Sequence, residues 1–89
     1  MNQMHVVLQG RRWLLRFVQS LKNRGDCDSP QTKNKQIRVR SDLDGEERLE
    51  VIIHELLHAG GWHRDEEYVE QEAKDIAHIL WRIGYRDTS

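Results

Sequence analysis

The sequence predicts a small α+β domain, and three observations carry that expectation. Two short runs rich in β-formers, HVVL and RWLLRFV, flank a Gln9-Gly10-Arg11 turn signal. A third run, Gln36-Ile37-Arg38-Val39-Arg40, alternates apolar with long charged side chains, as a half-buried strand does. Beyond residue 44 the apolar residues recur at a helical period in two stretches separated by Gly60-Gly61. The expected architecture is a small antiparallel sheet, an N-terminal hairpin plus strand 36–40, packed on two helices over about 46–59 and 65–82.

In the hairpin, Trp13, Leu15 and Phe17 alternate with Leu14, Arg16 and Val18, which gives one apolar and one mixed face. A helix over 11–21 competes for this segment, because Leu14, Phe17, Val18 and Leu21 also fit a 3.6-residue period. The polar stretch 22–35, with Gly25 and the single proline Pro30, reads as a long loop. Asp44-Gly45-Glu46-Glu47 has the form of a capping box and opens the first helix. Gly60-Gly61 ends it through glycine's access to left-handed backbone. Asp65 is a good N-cap for the second helix, with Glu66 and Glu67 in the first turn where the helix dipole favours acids.

At 89 residues the chain makes one domain, residues 1–89, and buries too little surface to be more than marginally stable. A bound metal or a partner chain would help. The net charge of -1 argues against nucleic acid as a partner. The charges are nevertheless segregated, since of fifteen acids only Asp26 and Asp28 precede residue 41. This fits a basic hairpin beside an acidic helical half. Cys27 is the only cysteine, so no internal disulfide forms and a reducing cytoplasm is the expected location. No apolar run is long enough to cross a membrane, and the first residues lack the pattern of an export signal.

The chemistry lies in His54-Glu55-Leu56-Leu57-His58. Residues four apart share a helix face one turn apart, so His54 and His58 can offer two imidazoles to one ion. Glu55 lies about 100° around the helix, beside the ion and not on it, where a carboxylate can take a proton from water. Zinc suits this set, because it accepts neutral imidazole and prefers four ligands with one position left for water. Leu49, Ile52, Ile53, Leu56 and Leu57 spread around most of the helix, so it should be buried, and the histidines and Glu55 then need partners. The plain alternative is a pair of core histidines hydrogen-bonded without any metal.

The run VIIHELLHA resembles the active helix of the zincin metallopeptidases, with Val51 where those enzymes often carry valine or threonine. The succession Ile37-Arg38-Val39-Arg40, Leu43, Arg48 and the HExxH helix is similar to the strand and helix order of ImmA/IrrE-type and other minimal zincins. Cys27-Asp28-Ser29-Pro30 and the closing ILWRIGYR resemble short metallopeptidase-like proteins encoded in phage and bacterial genomes. The resemblance implies a minimal zincin-like fold and a zinc ion, and leaves the substrate open.

Three groups compete for the third ligand. The metzincin pattern HExxHxxGxxH is matched through Gly61, but Arg64 occupies the last histidine's position and His63 comes one residue early. A gluzincin-like solution takes a carboxylate from the second helix, whose stripe Val69, Ala73, Ile76, Leu80 and Ile83 should face the first helix and the sheet. Glu66 lies about 40° from the centre of that stripe and is the first choice. Asp65 lies at a similar angle on the other side but is engaged as N-cap, and Glu67 points away. Glu70 and Glu72 sit at the stripe's edges, farther along the helix; Glu72-Ala73 resembles a Glu-Ala pair in the second helix of ImmA/IrrE-type proteins. Cys27-Asp28 is a weaker candidate in the loop, and His5 and His78 read as surface or packing residues.

These expectations add up to a zinc-dependent metallopeptidase acting on peptide or protein, with zinc on His54, His58 and Glu66 and Glu55 as general base. Strand 37–40 would be the edge that pairs with an extended peptide. The alternative is a catalytically silent, zinc-stabilised binding or regulatory module. The oligomeric state is left open.

Overall fold

A computed structural model of the chain describes residues 2–86. Four strands, β1 (Gln3–Leu8), β2 (Arg11–Val18), β3 (Gly25–Cys27) and β4 (Gln36–Arg40), are followed by helices α1 (Gly45–Gly60) and α2 (Glu66–Ile83). The α+β class, the hairpin, strand 36–40 and both helices match the expectation. The competing helix over 11–21 does not form. Trp13 and Leu15 are buried by strand alternation, with β1 paired to β2 from Gln3↔Arg16 to Leu8↔Arg11. Gln9 and Gly10 make the turn, both with positive φ, 51° and 72°, as a tight hairpin requires.

The sheet order is β1-β2-β4-β3, and it is mixed, not wholly antiparallel. β3, three residues inside the segment read as loop, runs antiparallel to β4, while β4 runs parallel to β2. The reason lies in the connection. Between β2 and β4 the chain reverses direction twice, once into β3 and once out of it, so β4 returns in the direction of β2. β4 fills the centre because Ile37 and Val39 are both fully buried on the helix side. On the other side Arg38 bridges Asp26 and Asp28, its Nη2 2.7 Å from Asp28 Oδ1. This pairing ties the short β3 to its neighbour and holds the Asp28 carboxyl below its ordinary range.

α1 lies across the apolar face of the sheet and buries Val51, Glu55 and Ala59, one turn apart, against it. The other apolar residues of its first three turns are only half-buried, so the helix is less enclosed than its composition suggests. Asp44 is the N-cap, but its side chain makes no capping bond; Glu47 pairs with Arg24 at 3.2 Å instead of reaching back, so the capping box does not form. Gly60-Gly61 ends the helix as expected, although Gly61 has φ -144° and no left-handed residue is used.

α2 starts at Asp65, whose carboxylate accepts the Tyr68 N–H at 3.3 Å, and ends at Gly84 with φ 113°. It packs on α1 and not on the sheet. Its buried residues are therefore Val69, Ala73 and Ala77, a narrow stripe whose two alanines let the helices approach closely. Ile76 and Leu80 flank it half-buried, and Ile83, expected in the stripe, is 66% exposed. Among the described residues no helix is long and apolar enough to cross a membrane.

Candidate metal centre

The turn after α1 is short. Gly61 donates to the Leu57 carbonyl at 2.9 Å and Arg64 donates to Gly61, so the chain doubles back and α2 begins beside the end of α1. This places Glu66, the first residue of α2, over the histidine face of α1. Its Oε1 lies 3.2 Å from His54 Nε2 and its Oε2 2.7 Å from His58 Nε2. The imidazoles meet edge to face with centroids 4.8 Å apart and an interplanar angle of 64°. Among the described residues, His54, His58 and Glu66 form a group able to hold a metal ion, with one ligand atom from each lying within 4.8 Å of the others.

The donor set fits zinc. A tetrahedral zinc with bonds near 2.0–2.1 Å needs donors about 3.3 Å apart, within the 4.8 Å spread of these ligand atoms. Two imidazoles and one carboxylate leave a fourth position for water, the pattern of catalytic rather than structural sites. The imidazoles are mostly shielded, with side chains 20% and 16% exposed, while Glu66 is 66% exposed and closes the group from the solvent side.

Glu55 is the one buried charged residue of the described chain, 7% exposed. Burial pushes its carboxyl up to about 7, with the negative charges of Asp26 and Glu66 adding to the effect and Arg24 opposing it. It faces β3. A Cβ built on Gly25 would come 2.9 Å from Val51 Cγ1, 3.0 Å from Glu55 Cγ and 3.1 Å from the Arg38 carbonyl oxygen. Gly25 thus lets the edge strand pass directly against the Glu55 stem. Sequence reasoning missed this residue, because a glycine in a polar segment reads as a turn.

The crowding makes a testable consequence. Gly25→Ala should destabilise the protein by about 1–2 kcal/mol in urea unfolding, since overpacking outweighs the smaller entropic gain of replacing glycine. An increase in stability would show that the strand has room to move.

An open cleft of about 460 Å³ runs beside this cluster, with Lys22, Arg24, Gly25 and Arg40 on the strand side and Glu50, His54, Glu55, Glu66 and Glu70 on the helix side. A groove of similar size, about 480 Å³, between the start of α1 and the end of α2 is lined by Leu43, Arg48, Ile52, Trp81 and Tyr85 and brings no set of ligating groups together. The other candidates lie elsewhere. His63 is exposed in the turn, beside Pro30 and Trp62. Asp65 is occupied as N-cap. Glu70 reaches the cleft but not the histidine pair. Glu72 accepts the Tyr68 hydroxyl at 2.6 Å, and His78 meets Glu46 at 3.3 Å, tying α2 to the start of α1. Cys27 is half-buried behind Glu55, and burial together with that carboxylate's charge pushes its thiol up to about 12. Asp28 is held by Arg38 and by the main-chain N–H of Gln36.

Comparison of the chain with models of protein families, with curated proteins and with solved structures gives no match.

Proposed function

We propose that the chain is a zinc-dependent metallopeptidase of minimal zincin type, with zinc on His54, His58 and Glu66 and Glu55 as general base. The observation that carries this reading is the convergence of two helical imidazoles and a carboxylate from the next helix beside a buried carboxylate and an open cleft. When bound, zinc supplies a Lewis acid that lowers the pKa of water and polarises a carbonyl. Glu55 takes the proton from the attacking water and returns it to the leaving amine.

Substrate positioning falls to β3. The edge strand is not 37–40, which is paired on both sides, but β3. Arg40 N donates to Arg24 O at 2.8 Å and Asp28 N to Gln36 O at 3.0 Å, so the even-numbered residues of this strand bond to β4. The main-chain groups of Gly25 and Cys27 point to the open edge, and an extended peptide pairing with them lies alongside Glu55.

Removal of the metal tests the proposal. Hydrolysis of an unstructured protein substrate should stop when the metal is stripped with a chelator and return with one equivalent of zinc; turnover that persists through chelation would sink it. One observation favours a silent binding module: α2 rests on α1 alone, and among the described residues no further element covers the cleft to build subsites. Zinc bound at the same residues with no hydrolysis of any peptide would establish that second reading. The lone Cys27 fits a reducing compartment such as the cytoplasm for either.

A further inference from the structure

The edge of the sheet farthest from the cleft is β1. Asn2 O accepts from Phe17 N at 2.9 Å, which fixes the alternation along β1: Met4, Val6 and Leu8 exchange hydrogen bonds with β2. The N–H and C=O groups of Gln3, His5 and Val7 therefore point outward, and among the described residues no strand pairs with them.

Protein sheets blunt such an edge with charge, proline, a bulge or shortness. β3, at the opposite edge, is only three residues long and lies beside the cleft. β1 has none of these devices. It runs six residues in unbroken register with β2, and QMHVVL contains no proline and no Asp, Glu, Lys or Arg. Apolar side chains accompany the open backbone, with Val7 69% and Met4 43% exposed.

We propose that two copies of this chain associate through antiparallel pairing of their β1 strands, which joins their sheets into one. β1 is its own complement. A twofold pairing must set residues of like parity opposite each other so that the helix-bearing faces coincide. Centring on His5 or on Val6 satisfies this. The first register sets Met4 against the second copy's Val6 and Val7 against its Gln3; the second sets Val6 against Val6 and Met4 against Leu8. Neither sets two Asp, Glu, Lys or Arg side chains opposite each other, the first also setting His5 against the second copy's His5, and a net charge of -1 per copy adds little repulsion. One strand pair is a small interface, so association is expected at roughly 10–100 µM. The seam leaves β3 and both clefts at the two outer ends of the joined sheet, free of each other.

Sedimentation equilibrium of the full chain up to about 500 µM, a concentration several times the expected Kd, tests this directly. The wild type should dimerise, and the amides of His5 and Val7 should exchange more slowly with deuterium as concentration rises. Val7→Lys should be monomeric while still folded, because its side chain is exposed and its main chain makes no bond to β2; the new ammonium lies across from Arg12, so a slightly lower unfolding midpoint is expected. Ile79→Lys, on the exposed side of α2 at 55% exposure, should dimerise like the wild type. If Val7→Lys proves unstable, Val7→Thr with the exchange measurement replaces it: an undiminished dimer whose Val7-site amide is protected still supports the seam. A wild type that stays monomeric throughout, association lost in Ile79→Lys, or concentration-independent exchange at His5 and Val7 would each overturn the proposal. None of these readouts depends on zinc or on hydrolysis.

Discussion

Glu66→Ala should lose zinc while His63→Ala keeps it. Glu66 reaches both imidazoles, and it is the only group of α2 that does so among the described residues. Removing a mere outer partner of a ligand typically costs 10–100-fold in metal affinity, so loss of a ligand should weaken zinc binding by more than about 100-fold. The fold itself should survive, because the Glu66 side chain is 66% exposed and the buried stripe of α2 begins only at Val69. An acid at the helix start contributes about 0.3–1 kcal/mol through the dipole, too little to unfold the chain. Metal content of the purified proteins, with circular dichroism as control, separates the alternatives. Zinc retained by Glu66→Ala and lost by His63→Ala would replace the carboxylate with a histidine from the turn.

The grouping of His54, His58 and Glu66 was legible from the residues, since it needs only helix geometry. His54 and His58 share a face at any helix ends, and Glu66 precedes Val69 by three residues on the side that α2 must turn inward. Errors in the rest of the stripe do not disturb this. Ile83 proved exposed and Ala77 buried because α2 has one helix to pack on and no sheet, but Val69 and Ala73 anchor the stripe either way.

What could not be read is whatever depends on long-range pairing. Three residues of β3 carry no periodicity, and Gly-Asp-Cys is a poor strand by propensity; it is held by Arg38 from the neighbouring strand. Missing β3 also hid the parallel relation of β2 and β4, and so put strand 37–40 at an edge it does not occupy. The capping box failed for a similar reason: Glu47 finds Arg24, a partner distant in sequence that lies on the segment leading into β3.

Glu55→Gln should abolish hydrolysis, leave zinc bound, and stabilise the metal-free protein at neutral pH. The first two effects follow from the proposed role: a positioned general base contributes about 10²- to 10⁴-fold, and Glu55 belongs to no ligating group. The third separates the carboxylate's charge from its shape. Burial raises its pKa from an ordinary 4.5 to about 7. Between those values the folded metal-free chain holds a proton that the unfolded chain has lost, so this group's contribution to stability falls as pH rises and is least favourable above about 7. The amide keeps the size and never ionises. The metal-free variant should match the wild type near pH 4 and exceed it at pH 8 by on the order of 2 kcal/mol, after allowance for water screening at the cleft mouth. Bound zinc should shrink the gap, because a divalent cation next to the carboxylate stabilises its charged form. A pH-independent difference between the metal-free proteins would mean that Glu55 is ionised throughout. Undiminished turnover in the variant would remove Glu55 from the reaction altogether.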